Sequence, residues 1–563
     1  MAFNVKAAVE VNSSGADTNG GGFDIGATFA TDLAATVANT SAPVVTAASY
    51  TGGFVAGDVG AFLYIASGTN WIPGFYQIAS VAGGAATLSA ACATVASPTA
   101  GTWGLDYSRS TSPRISYVDM AIDPTTNTQF TSSTNAVLPN IVGNYIKVAS
   151  GTGFTVQVVE VVSVSGGKAT CDKSLGTLSS TGGHGALGGA LATINAGFAL
   201  IIGSNHLWIK SGNYTTATTI STSVSGNDTL TTGPTMISGY KTVRGDIGYG
   251  PLGLNASSRP VVTATASSLN VIQTSGQFTI IENLVVDSVG VTFSANTCIT
   301  ATGAYTKVRN CLLKNGSNAG VALGGQFQAL EYSEILGMVG SNPAINVTQV
   351  STIVYGCSVH DNAGDGFHST NTGDIILNSL FANNAGVGIN LGTFGVGHFI
   401  IGNTIVGSGS HGIGNPSLVF GQLVIRDNII ADNGGWGILA VSSGSVPDDP
   451  MWDGNLYYNN TSGAIGNLVS GALNAVPYTH VYDVNPASAD PVTSHTSGTA
   501  NFPTDNFGPV TTAGPKAATW LSAFPGNTAT ANYRDMGAVQ HQDAGSGGSP
   551  GRPFFVRGSV MPT

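Results

Sequence analysis

Charge is the scarcest property of this chain: Asp, Glu, Lys and Arg make up 8% of its 563 residues, against about 25% in an average globular protein. The 18 Lys and Arg against 29 Asp and Glu leave a net charge of −11, and neither sign forms a run or a basic amphipathic helix. Nucleic-acid grooves and anionic membrane surfaces need clustered cations, so the composition argues against both as partners. Cysteine is also scarce: Cys92, Cys171, Cys298, Cys311 and Cys357 form an odd set without CxxC spacing. They read as small buried hydrophobes, not as disulfides or zinc ligands. No uninterrupted apolar span reaches about 18 residues, which speaks against membrane insertion. The opening Met1–Glu10 has no apolar signal core, so the expectation is synthesis and folding in a cytoplasm, without a signal peptide.

What the chain has in abundance is glycine, 78 residues, about twice the average usage. With 42% hydrophobic residues, simple disorder is excluded. Short strands joined by tight turns are the expectation.

The strongest pattern lies in residues 353–440. The runs Ile353-Val-Tyr-Gly-Cys-Ser-Val-His-Asp-Asn362, Ile375-Ile-Leu-Asn-Ser-Leu-Phe-Ala-Asn-Asn384, Phe399-Ile-Ile-Gly-Asn-Thr-Ile-Val-Gly407 and Leu423-Val-Ile-Arg-Asp-Asn-Ile-Ile-Ala-Asp-Asn433 are versions of one unit. Each closes on a glycine and a second apolar run, as at Gly366-Phe367, Gly388-Ile389, Gly412-Ile413 and Gly437-Ile438. Aligning Asn283, Asn310, Ser333, Cys357, Asn378, Asn403, Asn428 and Asn455 gives steps of 27, 23, 24, 21, 25, 25 and 27 residues. A short, sustained period of this kind signals a solenoid. Each unit then reads as one coil of a parallel β-helix, with side chains alternating inward and outward and Gly or Asn at corners that need positive φ. The Asn column is expected to be a structural ladder, bonding coil to coil through side-chain amides.

In chain order, Val5–Val11 is a strand followed by an Asp/Asn/Gly-rich turn. Residues 58–88 and 141–171 are an internal duplication at an offset of 83, with Ala66-Ser-Gly-Thr69 matching Ala149-Ser-Gly-Thr152 and Ser80-Val81 matching Ser163-Val164. Their alternating patterns predict two small antiparallel β modules, suited to packing or subunit contact. Ala186–Asn195 is a helix candidate through Leu187, Leu191 and Ile194, a cap over the open end of the solenoid. Asn205–Tyr214 supplies the first coil strand. The expected organisation is residues 1–185 as an N-terminal region with the modules inserted at the solenoid's start, 186–480 as the β-helix, 481–540 as an irregular Pro-rich cap and 541–563 as linker and tail. Insertion requires residues 5–11 to lie beside Leu207–Ile209.

The rungs, the Asn205–Tyr214 segment, and the ending from Asp453-Gly-Asn-Leu-Tyr-Tyr-Asn-Asn460 to Arg534-Asp-Met-Gly-Ala-Val539 resemble right-handed parallel β-helix proteins of the pectate-lyase-like group. Asp17-Thr-Asn-Gly-Gly-Gly-Phe23 with Gly74-Phe-Tyr-Gln-Ile-Ala-Ser-Val81 resembles a subset found among phage virion proteins. The resemblance implies an all-β fold and a virion protein, a homotrimer that meets other virion proteins and decorates the particle or binds the host surface. A tailspike that binds or cleaves host-surface polysaccharide is the alternative it carries, and a cellular carbohydrate-active lyase or hydrolase a third.

Chemistry has few candidates. A lyase of this fold class needs acidic calcium ligands and a base, and a glycosidase needs two carboxylates about 5–9.5 Å apart. The best acidic constellation is His360, Asp361, Asp365 and His368, with Glu334 on the rung below and Asn383 above. The competing reading is that both Asp residues satisfy turn amides, and Asp432 repeats the position of Asp361. Glu331 and Glu334, three apart, share no strand face unless a corner separates them. Arg309 with Lys307, and Arg426 on a later rung, form a candidate strip for sugar or carboxylate, against ordinary solvated surface. Trp452, Tyr457 and Tyr458 are candidates for stacking on sugar rings. No metal site is assigned, and calcium has no ligand set in the sequence. Gly547-Gly-Ser-Pro-Gly551 matches a nucleophile-elbow pattern by chance, since no strand-to-helix turn surrounds it.

Overall fold

The computed structural model describes residues 7–23, 30–50, 52–138, 141–229, 233–248, 258–289, 292–392, 397–417, 423–441, 451–469, 472–475, 492–494 and 506–509. The expected cap at 481–540 falls largely, and the tail at 541–563 wholly, outside the described residues.

The repeat builds a stack of coils, each giving one short strand to each of three parallel sheets. The first sheet runs from Ala8–Val11 and His206–Lys210 through Thr279–Glu282, Lys307–Arg309, Ala329–Glu331, Ile353–Tyr355, Ile375–Leu377 and Phe399–Ile401 to Met451–Asp453. The second begins at Asn213–Thr216 and ends at Leu456–Tyr458, and the third begins at Ile220–Thr222 and reaches Gly463–Val469. Register is constant along the stack: Ile281, Val308, Leu330, Val354, Ile376, Ile400 and Ile425 follow one another in a column. All are fully buried in one continuous core. A strand of three residues turns only its middle side chain inward, so one aliphatic residue per strand suffices to fill the interior.

The corner between the first and second sheets has two positions. The first is left-handed and holds Asn283, Asn310, Tyr332, Gly356, Asn378, Gly402, Asp427 and Gly454, with φ between 48° and 69°. The second holds Leu284, Cys311, Ser333, Cys357, Ser379, Asn403, Asn428 and Asn455 and supplies the ladder. The column aligned from sequence mixes the two, because Asn serves both: it tolerates positive φ and it has an amide to donate. In the ladder the side chain of one coil accepts the main-chain N–H of the coil before it. Ser379 Oγ takes the amide of Cys357 at 3.1 Å, Asn403 that of Ser379 at 2.9 Å, Asn428 that of Asn403 at 2.8 Å and Asn455 that of Asn428 at 3.2 Å. The Nδ2 groups of Asn403, Asn428 and Asn455 reach the carbonyls of Ile376, Ile400 and Ile425. A second ladder at the next corner uses Asn362, Asn384, Asn433 and Asn460 in the same way. Corner amides that no strand can pair are thereby satisfied.

Ala8–Val11 pairs in parallel with His206–Ile209. Between these two strands the chain leaves through Gly22–Phe23, forms two closed six-stranded barrels, and returns where Leu191 meets Val11. The barrels span Ala30–Leu105 and Ile115–Leu187, so each is larger than the stretch 58–88 or 141–171. Those stretches are the three repeated strands of each barrel: Phe62–Ser67, Gly74–Ala82 and Ala85–Leu88 recur at Tyr145–Ser150, Gln157–Ser165 and Lys168–Cys171. The other three strands of each barrel lie outside the repeated stretches. The helix also differs from expectation. It runs over Ile194–Leu200, capped by Thr193, while Leu187 ends the last barrel strand Gly183–Leu187. Gly188 and Gly189, both at positive φ, break the run that helical spacing suggested. All five cysteines are buried and unbridged. Among the described residues no helix is long and apolar enough to cross a membrane.

Candidate functional site

His360 ends the second-sheet strand Ser358–His360 and lies one rung above Leu336, the last residue of Glu334–Leu336. Its Nδ1 is 2.8 Å from Asp361 Oδ2 and its Nε2 3.2 Å from Glu334 Oε1. The ring is 3% exposed. Burial is the largest influence and disfavours the cation, yet the hydrogen bonds and charges of Asp361 and Glu334 outweigh it and raise the pKa. With a carboxylate at each nitrogen, both ring nitrogens are already engaged, and protonation would leave the ring no lone pair to act as a base. Asp361 itself occupies a left-handed corner at φ 54°, as Asp432 does at 53°, so the acid belongs to the repeat.

Asp365 lies in the turn leading to the third sheet, and the next coil uses both of its oxygens. Oδ1 accepts the amide of Val387 at 2.7 Å and Oδ2 the side chain of Asn390 at 2.8 Å. His368 is on Phe367–Ser369, in a third-sheet column with Asn346 and Asn390. The four acidic and imidazole candidates are thus divided between two sheets and a turn. Glu331 and Glu334 are separated by the corner at Tyr332 and serve different sheets, Glu331 pairing with Lys307 at 2.8 Å. Among the described residues no three His, Cys, Asp or Glu side chains are grouped to hold a metal ion.

Lys307 and Arg309 of the cationic strip are likewise paired with carboxylates. Arg309 Nε meets Glu282 Oε2 at 2.6 Å. Arg426 lies five rungs further along the same column, through Glu331, Tyr355, Leu377 and Ile401, or about 24 Å at ~4.8 Å per rung. Arg309 and Arg426 therefore do not form one strip. Tyr457 is 1% exposed and packs in the core. Strand alternation turns it inward between Leu456 and Tyr458, which removes it as a sugar platform. Trp452 is on Met451–Asp453 and pairs with Ile425 through the main chain; its side chain lies outside those described.

Two features escaped sequence reasoning. One is a buried ionic junction where the barrels meet the coil stack. Arg244, fully buried, binds Glu10 Oε2 at 2.6 Å, pairs with Asp106, and reaches Ser108 Oγ at 2.9 Å. Tyr240 donates its hydroxyl to Glu10. Burial pushes the Glu10 carboxyl up against the lowering pull of Arg244. Beside it His206 Nε2 is 2.9 Å from Ser238 Oγ, which donates to Glu282 at 2.6 Å. The serine sits between base and acid, so this chain is not a nucleophile triad, in which the imidazole takes the middle place. Partners up to 234 residues apart leave no local sequence signal.

The other feature is the outer face of the first sheet. Over its early coils this face is buried, with Trp208 against Phe23, Tyr240 and the barrel residues Phe75 and Val142. It then carries the ion pairs of Glu282, Arg309, Lys307 and Glu331. From the next rung it turns apolar: Ile353, Ile375 and Phe399 stand in one column and Tyr355, Leu377 and Ile401 in the other. Ile353 is 38% and Phe399 41% exposed. At the adjoining corner Phe278, Tyr305 and Phe327 stack ring on ring at 4.7 and 5.3 Å, and Phe327 is half exposed. The signal was in the sequence as Ile353-Val-Tyr, Ile375-Ile-Leu and Phe399-Ile-Ile, runs without a polar outward residue.

Three sheets of parallel rungs around one core, with ladder-bonded corners, define a right-handed parallel β-helix. Residues 299–476 match the family model described as "Right handed beta helix region". No curated protein matches the chain. Among solved structures it is similar to pectate lyase Pel9A, with 15% identity over 63% of this chain and 92% of that one and a TM-score of 0.38. It is similar also to ORF18 of Geobacillus virus E2, with 11% identity over 49% and 56% of the two chains and a TM-score of 0.33. The Dettilon tailspike protein gp208 shares 13% identity over 46% and 62%, with a TM-score of 0.25. At such identities the likeness speaks to fold alone.

Proposed function

We propose that this protein is a structural component of a phage particle: a β-helix appendage that stands side by side with copies of itself as a homotrimer, contacts other virion proteins and contributes to host attachment. The phage context rests on the N-terminal sequence resemblance. The observation that carries the assembly is the apolar grid of Ile353, Ile375, Phe399, Tyr355, Leu377 and Ile401, in which Ile353 and Phe399 are exposed and the other four half-buried. It continues the sheet face on which the chain's own barrels already pack, and a contiguous apolar face of this kind marks an interaction surface. The scaffold reading gains support from the carboxylates, since Asp361, Asp365, Glu331 and Glu282 each serve a bond within or between coils.

The test is the mass of the full chain in solution by light scattering, for wild type and for Ile353→Glu with Phe399→Glu. Three copies falling to one in the double variant is the expected result. A wild type that stays monomeric at micromolar concentration, or a variant that still assembles, refutes the grid as the interface. Gold-labelled antibody on intact particles then tests the location: absence of label from head and tail alike removes the virion reading.

A further inference from the structure

A cleft of about 310 Å³ opens at the start of the coil stack, between the helix Ile194–Leu200 and the first strands of the second and third sheets, Asn213–Thr216 and Ile220–Thr222. We propose that it binds a neutral sugar, one or two rings of a glycan. The argument is the chemistry of the lining. No charged side chain lines the cleft, and hydroxyls and amides of Thr, Ser and Asn alternate there with Ala and Ile. A phosphate, carboxylate or amine finds no counter-charge in such a site, whereas a polyhydroxylated ring finds both hydrogen-bond partners and apolar surface. The volume lies at the low end for ligand pockets, roughly 300–1,000 Å³, which limits the occupant to a small one.

The polar groups are of two kinds. Those on the walls are engaged: the Tyr214 hydroxyl donates to Lys210 O at 2.7 Å, and Thr193 Oγ1 is held by Asp17 at 2.8 Å. The Asn213 amide and the Thr215 hydroxyl, by contrast, are exposed and form no hydrogen bond to the described residues. They are alternate residues of one strand, so they project from the same face about 7 Å apart, roughly the width of one pyranose with its hydroxyls. Asn213–Thr216 is also the edge strand of its sheet. Ala217 beside them leaves the space that a ring would fill.

The assignment shares no residue with the apolar grid and does not rest on the virion reading. The full chain is titrated with maltose, lactose and chitobiose, and with sialyllactose as a charged comparison, by calorimetry and saturation-transfer NMR. At least one neutral disaccharide is expected to bind with a Kd on the order of a millimolar. Asn213→Ala should weaken it about five- to tenfold, the effect of one neutral hydrogen bond, and Ala217→Trp should abolish it. Both positions are exposed, and an unchanged melting temperature verifies the fold. Binding that survives Ala217→Trp, preference for sialyllactose, or no saturation by any neutral disaccharide at about 20 mM overturns the proposal.

Discussion

Replacing Asp374 by Asn should stabilise this protein at neutral pH and leave it unchanged near pH 4. Asp374 and His398 occupy a buried corner column, each one residue before the first-sheet strands Ile375–Leu377 and Phe399–Ile401, and both side chains are fully buried. His398 Nδ1 accepts the main-chain amide of Asp374 at 3.1 Å, so the neutral ring carries its proton on Nε2. Asp374 Oδ1 accepts the amide of Thr352 at 3.0 Å, while Oδ2 lies 3.4 Å from the imidazole. Burial raises the Asp374 carboxyl to about 6 and lowers His398 to about 4. A raised carboxyl favours the folded state below its unfolded pKa of about 3.8, and that contribution is lost as pH climbs through 6. A lowered imidazole favours it above about 6.5, and that contribution is lost as pH falls through 4. Between 4 and 6 the folded pair holds one proton on the carboxyl and the unfolded pair one on the imidazole. The proton count is equal, and the two slopes cancel.

Asn mimics the protonated carboxyl. At pH 7 the variant therefore escapes the cost of a buried carboxylate, about 2.2 pKa units or about 3 kcal/mol, and the gain vanishes by pH 4. Within the pair His398 alone then governs the linkage, contributing a fall of about 1.4 kcal/mol per pH unit from 6 to 4. Urea denaturation of both proteins at half-unit pH steps measures the difference, from which all other titrating groups drop out. A difference that does not change with pH would refute the buried carboxyl–imidazole account.

Arg244→Met should cost about 3–5 kcal/mol, because it leaves Glu10 and Asp106 buried without their guanidinium partner, and the cost should shrink on acidification as Glu10, whose carboxyl burial already pushes up, takes up a proton; thermal melts at pH 7 and 4.5 read both. Asn428→Ala orphans the Asn403 amide and the Ile400 carbonyl, a loss of about 2–4 kcal/mol by denaturant titration. Asn428→Ser should recover part of it, since Ser379 already fills the equivalent place with its hydroxyl. Asp361→Asn keeps a residue that tolerates the left-handed corner but removes one carboxylate from His360, so the imidazole pKa should fall, as followed by NMR titration. An unchanged pKa would mean that Glu334 alone holds the proton.

The solenoid was legible because its code is local and repeated. An aliphatic residue every second position, a corner that accepts positive φ, and a period of 21 to 27 residues recur often enough to outvote any single exception. The same redundancy hid detail. Asn suits both the left-handed corner and the ladder, so spacing alone could not separate Asn378 from Asn403, and helical spacing at Leu187, Leu191 and Ile194 could not reveal a barrel strand that ends at Leu187. Inward and outward sense was equally ambiguous at Tyr457, where aromatic character suggested a platform and register turned it into the core.

By itself the sequence determined the all-β class, the coil repeat, the duplicated strands and the burial of the cysteines, each a property of neighbours in the chain. Only the tertiary structure decided which groups meet: Arg244 with Glu10 and Asp106, His360 with Glu334, Asp374 with His398, the apolar columns of the first sheet, and the cleft above Asn213 and Thr215. Those meetings depend on which coil lies on which and where the barrels return the chain. A contact between residues 24 to 234 positions apart is set by packing, and no local pattern encodes it.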